Sequence, residues 1–203
     1  TVARRDATGL PLEVADRALH KASSQRVAEH VRLAVAFLFA GDGAAARRVA
    51  GRARGPLVKA LSMPARDGET GRDRRQLRMA KVSAWAGDPA TAERLAVGVI
   101  RSRRVPCEVV GVMDALEQIG DVARAQSVGL AASEIAPGCD PPRARTVDIA
   151  RRAGRLDEAA ERLARGLEAR PASTALRAAR ARLVLAGAEG DAFTDARVAV
   201  ERG

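Results

Sequence analysis

The stretches GDVARAQSVGLAA (residues 120–132) and GRLDEAAERLARG (154–166) decide the fold, because two further copies, GDGAAARRVAGRA (41–53) and GDPATAERLAVGV (87–99), repeat their pattern. Each copy opens on a glycine, usually followed by aspartate, and continues into an Ala-rich helical run. The four glycines lie 46, 33 and 34 residues apart. A recurrence of about 34 residues is the mark of stacked two-helix units, and the first interval exceeds it by 12 residues.

Each residue kept in the copies has a physical task. A glycine adopts the left-handed backbone that ends a helix without steric penalty. An aspartate after it caps the next helix by accepting from an unpaired amide. Five residues beyond each glycine stands Ala46, Ala92, Ala125 or Ala159, where the two helices of a unit are expected to approach most closely. Pro137 and Pro171 each follow their glycine by 17 residues, where they stop the second helix.

These residues resemble tetratricopeptide repeats in degenerate, bacterial form, closely over 109–171 and more loosely over 27–99. The resemblance implies an all-α chain, a right-handed α-solenoid of antiparallel helix hairpins. First-helix core positions fall to Leu33, Ala34 and Phe37, then to Val109, Val112, Met113 and Leu116, and finally to Arg143, Thr146, Val147 and Ala150. The expected organisation is an N-terminal segment with a partial capping helix (1–26), repeats at 27–60, 73–105, 106–139 and 140–173, a loop insertion at 61–72, and a partial fifth repeat at 174–203. The fifth unit starts with ALRAARARLVLA, turns at 187–190 and restarts as FTDARVAVERG, with Ala196 as its close-contact alanine. Residues Leu12, Val14, Ala15, Ala18 and Leu19 suit a preceding helix with Pro11 in its first turn.

Composition agrees with closely packed helices. Hydrophobic residues make up 47% of the 203, aromatics only 2%, with no Tyr and a single Trp, Trp85. Such a chain offers no row of rings for stacking bases. The net charge of +10 raises nucleic acid or an acidic protein as partners, but the excess is nearly all arginine and is spread along the chain. Cys107 and Cys139 have neither CxxC spacing nor a nearby His, so neither zinc nor a disulfide framework is expected. No apolar run has the length of a membrane span. A reducing, cytoplasmic setting is the expectation, and the start at Thr1 reads as an excised segment or a mature form.

Residues that carry chemistry are scarce. His20 and His30 have no metal-ligand spacing, and GETGRD (68–73) lacks the Lys-Ser/Thr ending of a phosphate loop. Asp157, Glu158 and Glu161 lie in the first turns of a helix, where they complement its dipole. No catalytic, cofactor or metal site is expected, and no cofactor.

The resemblance places ligand contacts on the concave face, at fixed positions of the first helices. Those positions hold Arg74, Leu77, Lys81, Ala84 and Trp85, then Cys107, Val110, Asp114, Glu117 and Gln118, then Asp148, Arg151 and Arg152. Arg74, Lys81, Arg151 and Arg152, with Trp85 among them, suit an acidic or C-terminal peptide; Trp85 also reads as a packing residue between units. The clamp of the family that needs Asn is not expected, since the chain has none. The apolar run 31–40 is expected to be covered by neighbouring helices, or else to present Val35, Leu38 and Phe39 to a partner. The leading expectation is a non-catalytic protein-interaction scaffold. The alternatives are an accessory segment of a modular enzyme, such as a bacterial glycosyltransferase, or of a regulator, and a basic nucleic-acid-binding array.

Overall fold

A computed structural model describes residues 27–62 and 68–187. The described chain is helical, without strands: α1 (Val27–Phe39), α2 (Gly43–Ser62), α3 (Gly68–Trp85), α4 (Pro89–Ser102), a 3₁₀ turn (Pro106–Val109), α5 (Val110–Gln118), α6 (Val122–Ile135), α7 (Asp140–Arg152), α8 (Leu156–Ala169) and α9 (Thr174–Leu185). Each helix packs on the next. Odd-numbered helices also pack on each other, α3 on α5, α5 on α7 and α7 on α9. No helix among the described residues is long and apolar enough to cross a membrane.

The repeated glycine turn forms as its sequence dictates. Gly41, Gly87, Gly120 and Gly154 have φ of 77°, 85°, 85° and 74°. Each donates its N–H three residues back, and the residue after it donates five residues back, as in Gly120 to Glu117 and Asp121 to Leu116, both at 2.9 Å. This pair of bonds closes the carbonyls at the end of the first helix. The second helix is then capped by aspartate: Asp42 accepts from Ala45 N at 2.9 Å, and Asp88 and Asp121 from Thr91 N and Arg124 N at 3.1 Å. Arg155 stands at the fourth such place and gives no side-chain cap.

Ala46, Ala92, Ala125 and Ala159 are fully buried, as closest-approach positions must be. The expected first-helix core is buried as well, except Arg143, which is half-buried. Helices α6 and α8 end before Pro137 and Pro171. In the run 31–40, Leu33, Ala34 and Phe37 are buried and Val35 and Leu38 pack partly against the core, whereas Phe39 is 80% exposed.

The insertion at 61–72 differs from its expected form as a loop. Residues 61 and 62 complete α2 and residues 68–72 open α3, so much of the excess length is helix. Just past that span, Asp73 helps hold the start of α3: Ser102 Oγ donates to it at 2.7 Å and Arg104 Nε at 2.7 Å. The helix expected around 12–19, His20, Ala196 and the restart at 193–203 lie outside the described residues.

Candidate functional site

Helical spacing puts Arg74, Arg78, Lys81 and Trp85 on one stripe of α3. The neighbouring first helices bring equivalent positions against this stripe, and most of the ten candidate residues meet a partner there. Arg74 Nε donates to Glu108 at 2.9 Å, and Trp85 Nε1 to Gln118 Oε1 at 3.0 Å. Asp114 pairs with Arg145 at 2.5 Å. Glu117 accepts from Arg145 at 2.6 Å and from both nitrogens of the Arg152 fork, at 2.8 and 3.0 Å. Asp148 receives Arg182 in two bonds, of 2.9 and 2.6 Å, with Arg151 at 3.7 Å.

The result is a ladder of charge pairs that joins α3, the 3₁₀ turn, α5, α7 and α9. The Arg74–Glu108 rung is exposed on both sides and worth at most about 1 kcal/mol. The Asp148 rung is more enclosed, with 10% of the aspartate side chain exposed, and its two-pronged geometry makes it stronger. Leu77 and Trp85 belong to the core, at 5% and 6% exposure, and Val110 is half-buried. Trp85, Gln118 and Arg47 also border a groove of 690 Å³ that follows the glycine turns of three successive units.

Lys81 stands apart. Its stem lies on Gly111, with Cδ 3.4 Å from where a β-carbon would be, and among the described residues its ammonium makes no hydrogen bond or ion pair. Burial lowers its pKa from the ordinary lysine value, and the charge of Arg78 adds to this; Asp114 and Glu108 pull the other way without cancelling it. Arg78, one turn earlier, is exposed.

Glu108, Arg145 and Arg182 were not among the sequence candidates. Their signal was available: 74 and 108, like 148 and 182, are opposite charges 34 residues apart, one period of the repeat.

The cysteines correct the sequence expectation. Cys107 in the 3₁₀ turn and Cys139 before α7 form a disulfide, with Cα atoms 5.5 Å apart. They are 32 residues apart, and stacking of consecutive units brings such positions together. A disulfide of this kind is unusual in a reducing cytoplasm. The described residues contain no group of three or more His, Cys, Asp or Glu placed to hold a metal ion. His30 is buried in α1, and two acidic residues of α8 pair with arginines, Glu158 with Arg155 and Arg162, Glu161 with Arg165.

Neither the protein-family models nor the curated proteins include a match to this chain.

Proposed function

We propose that this chain is a tetratricopeptide-like scaffold, a right-handed solenoid of antiparallel helix hairpins. Its concave face, made by α3, α5, α7 and α9, binds an acidic protein segment without catalysis. The observation that carries the reading is Lys81, a half-buried ammonium seated on Gly111 that among the described residues makes no hydrogen bond or ion pair and feels Asp114 and Glu108 only at longer range. A carboxylate of the ligand fills the missing rung and recovers a charge-assisted hydrogen bond. Arg78 adds attraction over a longer range, and the ladder around it holds the face in shape.

The test uses Trp85, the only tryptophan in a chain without tyrosine, as the reporter. Titration with a glutamate-rich peptide is expected to change its emission, and Lys81→Gln to weaken the peptide about tenfold, or about 1.4 kcal/mol, with the helical circular dichroism unchanged. Equal affinity of the wild type and Lys81→Gln overturns the site. Tighter binding to duplex DNA than to the peptide, lost steeply as salt rises, overturns the choice of partner.

A further inference from the structure

The apolar core falls into two clusters. The first gathers side chains from α1 to α6 and takes Ile149 from α7. The second is built by the rest of α7 with α8 and α9, around Val147, Leu163, Leu176 and Leu183. The boundary between them runs where α7 meets α5 and α6. Apart from Ile149, what crosses it is polar or tightly fitted: the Arg145 and Arg152 pairs with Glu117, and Thr146 against Gly129.

The start of α7 lies at this boundary and, like that of α8, has no side-chain cap. Asp88, Asp121 and Ser173 cap α4, α6 and α9 through their side chains. Cys139 occupies the same place before α7 and makes no such bond. The next residues include Pro141 and Pro142, which have no N–H to offer. Within its own half this end has the Asp140–Arg170 pair, at 3.6 Å; across the boundary it is tied by the covalent link from Cys139 to Cys107, in the 3₁₀ turn of the preceding unit. The two ends of that link differ: Cys107 is exposed, and Cys139 is 3% exposed.

We propose that the Cys107–Cys139 bond is a thiol-exchange site that fastens the two halves of the core and is opened by a low-molecular-weight thiol. The thiolate attacks Sγ of Cys107, the accessible sulfur; the Sγ–Sγ bond breaks, and Cys139 leaves as a thiolate that takes a proton from water. A second thiolate then attacks the sulfur of the first, now bonded to Cys107; that bond breaks, the two small thiols are joined, and Cys107 leaves as a thiolate that takes a proton from water. The protein gains two thiols and the two small thiols become one disulfide, so electrons and protons balance. A small-molecule disulfide drives the reverse sequence. In the open form α7 loses the anchor at its start, and the loosening is confined to the boundary and to α7–α9.

The experiment uses the full chain, purified in air without reductant. Alkylation of the native protein is expected to add nothing, and alkylation after dithiothreitol two groups. Reduction is expected to speed hydrogen exchange about tenfold or more in α7 while α3 and α4 keep their rates. The double variant C107S/C139S should show that exchange pattern from the outset and ignore dithiothreitol. Glutathione, trapped by acid after brief exposure, should be found on Cys107. Alkylation of both cysteines before reduction overturns the proposal, as does a reduced protein whose α7 exchanges unchanged. A uniform rise over all helices refutes the localised role, and a glutathione adduct on Cys139 refutes the direction of attack.

Discussion

Gly129 and Gly98 are both interior helical glycines, yet replacing each with alanine should have opposite effects. A β-carbon on Gly129 meets Thr146 Cγ2 at 2.3 Å and Met113 Cε at 2.5 Å; on Gly98 it meets nothing within 4 Å. The methionine end can swing aside. Thr146 cannot do so easily, because it is branched, 2% exposed and held by its hydroxyl, which donates to Arg143 O at 2.7 Å. Overpacking costs about 1–3 kcal/mol, and alanine returns up to about 1 kcal/mol of helix propensity. Gly129→Ala should therefore lose about 0.5–2 kcal/mol, a fall of about 2–6 °C in Tm for a chain of this size. Gly98→Ala should gain about 0.5–1 kcal/mol. Thermal unfolding followed by circular dichroism at 222 nm measures both. Thr146→Ser removes the offending methyl and keeps the hydroxyl, so the double variant with Gly129→Ala should be more stable than the two single losses sum to. A Gly129→Ala protein as stable as Gly98→Ala, or losses that simply add with Thr146→Ser, would refute the reasoning.

Two further outcomes follow from the local geometry. Gly120→Ala places a β-carbon on a backbone with φ of 85° and should cost about 1–2 kcal/mol, while Gly120→Asn costs less; urea unfolding of the pair checks the order. Burial alone would raise the Asp73 carboxyl, but the hydrogen bonds from Arg104 and Ser102, with the charges of Arg104 and Arg72, outweigh it and hold its pKa below the ordinary value. A depressed carboxylate stabilises the fold above its unfolded pKa and stops doing so as pH falls through the folded one. The stability difference between wild type and Asp73→Asn should thus be full above about pH 5 and shrink below about pH 4, as urea midpoints across that range will show.

The features written in neighbouring residues were readable in the sequence. The glycine turns, the aspartate caps and the buried Ala46, Ala92, Ala125 and Ala159 depend on local spacing, and the helices follow from them. Features that depend on stacking were harder to read. Arg74, Asp148 and Arg152 were picked out by their helix positions as hands for a ligand, but stacking sets each against a charge from an adjoining unit. The disulfide escaped for the same reason, its spacing being that of a repeat and not of a local motif. The stretch 68–72 looked like a loop because Gly68, Thr70 and Gly71 are poor helix formers in isolation. The start of α3 is held in part by Asp73, whose partners Ser102 and Arg104 stand about 30 residues away, separated from it by 29 and 31 positions.

The ladder also gives the units an order. Arg74 looks forward to Glu108, Trp85 to Gln118 and Asp114 to Arg145, whereas Glu117 takes Arg152 and Asp148 takes Arg182, so each seam has its own sequence of donors and acceptors. Position 118, a neutral amide opposite the indole, corresponds one period later to Arg152, and position 117, an acid, to Arg151. Units that share the same glycine turn are therefore not interchangeable bricks. Shuffling or deleting one would leave the helices able to stack but give them the wrong neighbours, as a zip with its teeth cut to different shapes closes in only one alignment.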